Sequence, residues 1–594
     1  MLPLSSSQES IHFSDFEVDL RSGELRRHGL RIKLQIRPFQ VLRILLEHAG
    51  EVVGREELQK RIWPADTFVD FDQGLNNAVK KLREALDDDA EKPRFIETLS
   101  KRGYRFIASV QEVGSKARKL VGPAAVITVD SIAVLPFTNI STEPEDEFFA
   151  DGMTEEIINA LAQIEQLHVV ARTSAFSFKG KYIDVRAVGK RLNVRTVLLG
   201  SVRRVGNELR ITAQLVNAED GYHLWSDRYD REVKDIFEIQ DDIARSIVER
   251  LKVTLKEGEQ ERLVIAGTNN LESYQLYVKG RALLYRRGGV ISRAAECFER
   301  EVALDPDYAL AWAGLADSHT VLGYYGFARP ENNAPKALEA AQRAVALAPS
   351  LAEARNALAM ASLMSAWDRE KAEQEFLRAI ELNPRYTQAR DWYALFYLQY
   401  SEGRLEEGMA QAKLALKTDP LSGYAHAVYG LTCGSAGKYV EAVQAARRAV
   451  ELDSESFLAH MALQLVLHMS GELEESVAAG EMALGMSGRL SWSMAFLAVT
   501  FGELGKIADA DALYAEMLAR ARRQYVPPAQ LALAAAAAAR ENEAIHHTRD
   551  AFEIRDPDCQ FFFSRHLPYS APLYACPRFC EILARNKRSD WLRD

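Results

Sequence analysis

Between Phe71 and Leu86 the stretch FDQGLNNAVKKLREAL puts amides and cations where a wholly buried helix would not hold them. On a helical wheel Leu75, Val79, Leu82 and Leu86 share one side, the apolar stripe of a helix packed on a core. Gln73, Asn77, Lys80, Lys81 and Glu84 fall on the other side. Asn and Gln amides can bond an adenine edge through two hydrogen bonds, and Lys can reach guanine acceptors or phosphates. An acidic turn, Asp87 to Asp89, follows. Two strand-like segments come next, Phe95–Leu99 and Tyr104–Ala108, joined by Ser100-Lys101-Arg102-Gly103, a tight turn carrying two cations. The chemistry available to this surface is nucleic-acid contact; the other reading of the same spacing is an amphipathic helix and a hairpin of any α+β domain.

The preceding residues supply a mount for that surface. Ile11–Leu20 alternates apolar and polar residues with one slip and reads as a strand. Leu25–Arg27 and Arg31–Leu34 follow across turns at Ser22-Gly23 and His28-Gly29. Pro38 opens a helix whose stripe is Phe39, Leu42, Leu45 and Leu46, and Glu56–Ile62 forms a second, closed by Trp63-Pro64. A sheet, three helices and a basic hairpin predict a winged helix, with its last helix for the major groove and its hairpin for the flanking backbone.

The segment resembles the effector domain of OmpR/PhoB-type response regulators. The residues that carry the resemblance are Arg37-Pro38-Phe39-Gln40-Val41-Leu42, Gly54-Arg55-Glu56-Glu57-Leu58, Trp63, Val79-Lys80-Lys81-Leu82-Arg83-Glu84-Ala85-Leu86 and Arg102-Gly103-Tyr104-Arg105-Phe106. It implies that Asn76, Asn77, Lys80 and Lys81 face bases and phosphates and that Arg83 approaches the backbone. Thr98, Lys101 and Arg102 would meet the neighbouring groove. Family helices often carry Arg where this chain has Lys80 and Lys81. Lys is a point charge without the bidentate fork, so the resemblance implies DNA affinity more firmly than base specificity. No receiver domain precedes residue 10 in this sequence, so the regulatory input is expected on the C-terminal side, as in CadC-like one-component regulators. Those place a transmembrane helix after the wing. Here the best candidate, Leu120–Phe137, is interrupted by Pro123, Asp130 and Pro136, so a cytoplasmic signal is expected.

At 594 residues the chain holds several domains, and its net charge of −10 excludes a protein that coats nucleic acid through a global field. Residues 10–110 carry 18 Lys+Arg and 17 Asp+Glu, hence +1, so any affinity for DNA must come from a local face. Cys297, Cys433, Cys559, Cys576 and Cys580 form no disulfide framework, which suits a reducing compartment. The N-terminal MLPLSSSQES has neither the basic start nor the apolar core of a signal peptide.

From Ser131 strands alternate with helices, as in an α/β domain. The reading is a strand at Ser131–Phe137, a helix at Phe148–Ile164 and a strand at His168–Ala171, then a helix at Ile183–Leu192 and paired strands at Thr196–Arg204 and Leu209–Asn217. A helix at Ile236–Leu255 closes it. IAVLPF, Phe149-Ala150-Asp151-Gly152-Met153-Thr154-Glu155-Glu156, Ala171-Arg172-Thr173-Ser174, Gly200-Ser201-Val202-Arg203 and Leu224-Trp225-Ser226 resemble a TolB-N-terminal-like domain. That resemblance implies a folded interaction or sensing module without a reaction. Asp151, Glu155, Glu156 and His168 could do acid–base or metal chemistry, but an acidic helix start accounts better for the three acids. Arg172, Arg203 and Arg204 could bind an anionic ligand, but read rather as solvated strand-edge charges. No phosphate-binding loop, dinucleotide fingerprint or zinc-protease motif occurs.

Beyond Ser273 the punctuation Asp305-Pro306, Ala348-Pro349, Asn383-Pro384, Asp419-Pro420 and Asp453-Ser454 recurs close to every 34 residues, the tetratricopeptide (TPR) period. The longer first interval is assigned to an inserted loop, Gly323–Asn333. The units resemble TPR repeats, seven or eight of them, and such repeats imply a superhelix whose concave surface takes a protein or peptide partner; the other reading of the array is a spacer or dimerisation scaffold. Cys576 and Cys580 are spaced too widely for a zinc knuckle and lack a second pair, so they are read as part of a capping helix.

The expected architecture is multidomain: an α+β winged helix over 10–110, a linker over 111–128, a small α/β domain over 129–265, an all-α TPR solenoid over 270–560 and a C-terminal capping helix over 561–594. The expected function is cytoplasmic transcription regulation through double-stranded DNA, without cofactor, metal, catalysis or membrane. RNA polymerase contact and homodimerisation fall within the role of the C-terminal part. The rival is a TPR interaction scaffold with a weak or vestigial DNA-binding head.

Overall fold

A computed structural model describes residues 10–112 and 130–586, apart from 14–15, 20–23, 28–29, 33, 35, 49, 51, 63–70, 87, 90–92, 100–101, 109–110, 142, 144–145, 163, 165, 182–183, 233–235, 252–267 and 269. Trp63, Lys101 and most of the expected linker therefore lie outside the described residues, as does the side chain of Gln73. The chain divides into two compact units, Met1–Val126 and Ile127–Asp594.

In the first unit β1 (Ser10–Phe13), β2 (Phe16–Asp19), β3 (Glu24–Arg27) and β4 (Leu30–Ile32) make an antiparallel meander. The single strand expected over Ile11–Leu20 is thus two, paired Phe13 to Phe16, because the slip in the alternation lets both rings face the core. Phe13 stacks on Phe16 at 5.4 Å and meets Phe106 edge-on at 4.9 Å. Then come α1 (Ile36–Glu47), β5 (Val52–Gly54), α2 (Arg55–Ile62) and α3 (Phe71–Leu86). β6 (Ile96–Leu99) and β7 (Gly103–Phe106) form the hairpin, β5 pairs with β7, and β8 (Gln111–Glu112) returns to β1. The apolar stripe of α3 is buried, Leu75, Val79, Leu82 and Leu86 all among the core residues.

The second unit begins with a mixed sheet. Its strands are β9 (Asp130–Val134), β10 (Thr138–Asn139), β11 (Leu167–Val169), β12 (Thr196–Val205), β13 (Glu208–Asn217) and β14 (His223–Glu232). β9 lies between β11 and β12, parallel to both, while β12, β13 and β14 form an antiparallel meander. The helices are α4 (Asp146–Ala162), α5 (Arg172–Phe176), α6 (Val185–Leu192) and α7 (Ile236–Arg250). The sequence reading missed α5 and β14. It also misplaced the start of α4: the helix begins at Asp146, so Asp151, Glu155 and Glu156 sit in its interior, with Glu155 and Glu156 buried.

From α8 (Leu271–Arg286) onward the chain is helical hairpins. Its partner is Ile291–Leu304, and seven further pairs follow up to Glu541–Glu553. The first helices of the third and fourth pairs widen to π-helical bonding over Ser362–Ala366 and Tyr393–Ser401. The expected loop Gly323–Asn333 is largely helix instead, since Ala309–Tyr324 and Pro330–Leu347 leave only residues 325–329 between them. Small residues allow close pairing of the helices, with Ala337, Ala340, Ala341 and Ala344 all buried on one face.

Two packings join parts of this unit that are distant in sequence. Ser174 on α5 donates from its backbone amide to Asp419 Oδ1 at 2.9 Å, and its hydroxyl also bonds Asp419 while accepting from the Leu421 amide. The α/β domain is thereby fixed to the turn entering the fifth helix pair. Farther along, Tyr324 and Tyr325 of the second pair meet Trp492 of the seventh, at 6.1 and 5.2 Å. Phe561 fills between Tyr324, Phe396 and Tyr400. Helices five repeats apart touch only across the axis of a superhelix, so this aromatic cluster closes the coil from inside. The expected capping helix is Pro577–Arg585, and Cys576 ahead of it contacts Glu541 at 3.0 Å.

Candidate nucleic-acid interface

Helix α3 presents one dry and one wet face. With its leucine stripe in the core, Asn76, Asn77, Lys80 and Glu84 are exposed and Lys81 and Arg83 half-buried. On the hairpin Thr98 and Arg102 are exposed. Between helix and hairpin runs a groove of about 660 Å³ that Asn76, Lys80, Arg83, Thr98 and Tyr104 help to line. The structure thus brings Asn76, Lys80, Arg83 and Thr98 to one groove, with Asn77 and Lys81 on the same helix and Arg102 at the hairpin turn.

Three residues that the sequence reading passed over hold this arrangement. Arg55, at the start of α2, donates from Nη2 to Asn76 Oδ1 at 2.8 Å and from Nη1 to Tyr104 Oη at 3.1 Å. Tyr104 Oη in turn donates to Asn76 Oδ1 at 3.0 Å. The carbonyl end of Asn76 is therefore engaged in locking α3 to α2 and β7. Asp88, its side chain fully buried, accepts from the backbone amides of Arg94, Phe95 and Ile96 at 2.6, 3.1 and 2.9 Å. A buried carboxylate with three amide donors fixes the entry into the hairpin. The acidic turn was visible in the sequence; which of its acids turned inward was not.

Arg83 has a similar task. Its Nη2 donates to the Ile96 carbonyl at 2.7 Å and to Thr98 Oγ1 at 2.8 Å, tying α3 to β6. Gly103, at φ +153°, lets β7 approach β5 so closely that a Cβ there would stand 2.0 Å from the Val53 carbonyl oxygen. Arg105 and Glu97 pair across the hairpin at 3.1 Å. Arg83→Ala should therefore free the hairpin, raising hydrogen exchange at the β6 and β7 amides in the full chain. Loss of two hydrogen bonds from a charged donor is worth about 1 to 3 kcal/mol of local stability. Arg83→Lys should fail to rescue, lacking the fork. Unchanged exchange would show that Arg83 does not hold the hairpin.

The residues weighed for chemistry in the middle domain are committed elsewhere. Lys179 bonds both oxygens of Asp151 at 2.6 Å. Glu155 accepts from Arg172 Nε at 2.8 Å and Arg281 Nη2 at 3.2 Å. Arg172 is thus no solvated strand-edge charge but half of a part-buried ion pair, with its guanidinium over the Phe176 ring at 4.1 Å. Arg204 reaches Asp146 at 3.4 Å. His168 stands on β11, where burial, with Arg385 and Lys417, pushes its pKa down. No helix among the described residues is long and apolar enough to cross a membrane.

Two family models match parts of the chain. Residues 29–106 match the family model for the C-terminal domain of transcriptional regulatory proteins, and residues 128–246 match that for the second domain of HilA/YgeH-like transcriptional regulators. The transcriptional regulator HilA of Salmonella typhimurium is 24% identical over 425 residues, 70% of this chain and 72% of that protein. A protein of Rhizobium meliloti named putative adenylate cyclase 3 is 46% identical over 187 residues. That match takes in 31% of this chain and spans only 32% of the relative's length. Among solved structures, the RstA DNA-binding domain of Klebsiella pneumoniae in complex with the RstA box is 28% identical, covering 17% of this chain and 97% of that one, with a TM-score of 0.15. The first unit carries an OmpR/PhoB-type winged helix, and the second joins a small sheet-containing domain to a TPR-like helical array.

Proposed function

We propose that the chain is a cytoplasmic one-component transcription regulator, binding double-stranded DNA through α3 and the hairpin and taking its input through residues 127–594. The observation that carries this reading is the two-faced α3: Leu75, Val79, Leu82 and Leu86 buried, Asn77 and Lys80 exposed beside the Thr98–Arg102 hairpin. Such a helix fits the major groove while the hairpin follows the backbone. Asn77, Lys80 and Lys81 are assigned to bases and phosphates, with Gln73 and Lys101 kept from the sequence. Thr98 and Arg102 are assigned to the flanking groove, and Asn76 and Arg83 to positioning as much as to contact.

The likeness to HilA over most of its length supports a regulator. The likeness to a protein named as a cyclase covers a third of it, and Asp151 and Glu155 of the middle domain are bound up in ion pairs, which supports a non-catalytic role. The array is assigned to protein contacts, with RNA polymerase and a second copy of the chain as the partners considered. Its axis is filled by its own aromatic side chains between the second and seventh pairs, so a peptide partner is placed on the remaining inner and outer surface.

The test is fluorescence anisotropy of the full chain on random duplex and on duplex selected from genomic fragments, across a salt series. Selected DNA should win by about a thousandfold or more at physiological salt. Equal affinity for both, or none for either, would turn the reading towards a scaffold.

A further inference from the structure

The second unit holds a partly open cavity of about 960 Å³, of mixed polar and apolar lining, between the α/β domain and the turns entering the fourth, fifth and sixth helix pairs. That volume suits a small organic molecule. Residues that line the cavity also carry buried polar atoms that the fold leaves unsatisfied. Arg281, 7% exposed, has no partner for Nε, and Asp391, 2% exposed, has none for Oδ1. Tyr386 Oη and Arg287 Nη1 also lack partners. Buried donors and acceptors of this kind are rare in native proteins and each calls for an explanation.

Arg287 is the most telling of them. Its backbone stands at φ 58° and ψ −172°, a region populated almost only by glycine. Gly288 and Gly289 follow directly, so a residue suited to that backbone was one position away. The strained position instead holds a guanidinium 5.6 Å over the Trp392 ring. The helices starting at Gly423 and Phe457 also open onto the cavity, each capped by a serine. Their N-termini favour negative charge.

We propose that this cavity binds a small organic anion, its carboxylate or phosphate group held by Arg281, Arg287 and Tyr386. Glu155 already pairs with Arg281 at 3.2 Å, whereas no carboxylate of the described residues pairs with Arg287; burial pushes Asp391 and Glu353 up, and Asp317, behind the wall, up to about 7. The anion would be an input of the regulator proposed above; that link rests on the regulator reading, whereas binding itself does not.

The test is calorimetry and thermal unfolding of the full chain with succinate and with glucose 6-phosphate at about 10 mM and matched ionic strength, with no DNA present. Glucose and putrescine serve as neutral and cationic controls. At least one anion should bind and raise Tm while neither control does, and which anion binds tells carboxylate from phosphate. Arg287→Gly should keep or raise the Tm of the free protein, because glycine fits that backbone, yet weaken anion binding about tenfold or more. Tyr386→Phe, which removes only the unpartnered hydroxyl, should weaken it several-fold. Absence of binding by both anions, equal binding of putrescine, or full binding by Arg287→Gly and Tyr386→Phe would each overturn the proposal. Loss of DNA binding with anion binding intact would count against the regulator alone.

Discussion

Replacing Lys80 and Lys81 together with alanine should weaken duplex binding by about a hundredfold and lower the slope of log affinity against log salt by about 1 to 2. Lys80 is exposed on the face opposite the buried stripe, and Lys81 lies half-buried beside it. Two ammonium groups presented to phosphates release counterions on binding, so their removal acts on both affinity and salt dependence. Exposed side chains outside the core carry little stability, and Lys80→Ala alone should leave unfolding within about 0.5 kcal/mol of the parent. Arg83→Ala weakens binding by another route, through a loosened hairpin, and should leave more of the salt slope in place. Full affinity and an unchanged slope in the double variant would mean that α3 does not face DNA.

What the sequence made legible follows from how local each signal is. The stripe Leu75, Val79, Leu82, Leu86 is a periodicity within one helix, and its burial could be read without knowing what it packs on. The turn between β6 and β7 announced itself through Gly103 and its neighbouring cations. The β1–β2 hairpin did not, because Phe13 and Phe16 keep the look of one alternating strand interrupted by a slip. Helix α5 is too short for a periodic signal, and β14 has mostly polar, exposed residues.

Contacts between distant residues were illegible for a plainer reason. Glu155 and Arg281 are 126 positions apart, and nothing along the chain marks them as partners. Arg172 therefore looked like a solvated charge, and Glu155 like part of a helix start. Tyr325 and Trp492 likewise meet across the axis of the superhelix with nothing along the chain to mark them as partners. At the site itself, the amides and lysines of α3 were readable by type. The locking of Asn76 by Arg55 and Tyr104, and of the hairpin by Asp88, depends on tertiary approach that spacing does not encode.

The neighbouring acids Glu155 and Glu156 should respond in opposite directions to the same chemical change, carboxylate to amide. Burial alone would push Glu155 up, but the Arg172 and Arg281 guanidiniums outweigh it and hold the carboxyl below its ordinary 4.5. A depressed acid contributes stability that is complete above its unfolded pKa and is lost as pH falls through the folded one. Glu155→Gln removes the charge and leaves Arg281 buried without its counter-ion, which costs about 3 to 5 kcal/mol at pH 7. Glu156 is pushed up from 4.5 to about 8, by burial first and then by the charge of Glu155. The folded state then keeps a proton that the unfolded chain gives up, so Glu156 subtracts stability increasingly as pH rises from 4.5 towards 8. Glu156→Gln should accordingly raise Tm at pH 8 by a few degrees and match the parent at pH 4. Thermal unfolding of both variants and the parent from pH 4 to 8.5 checks the pair. If both lowered Tm equally at every pH, the two acids would be acting through packing, and the opposition between paired and unpaired burial would be wrong.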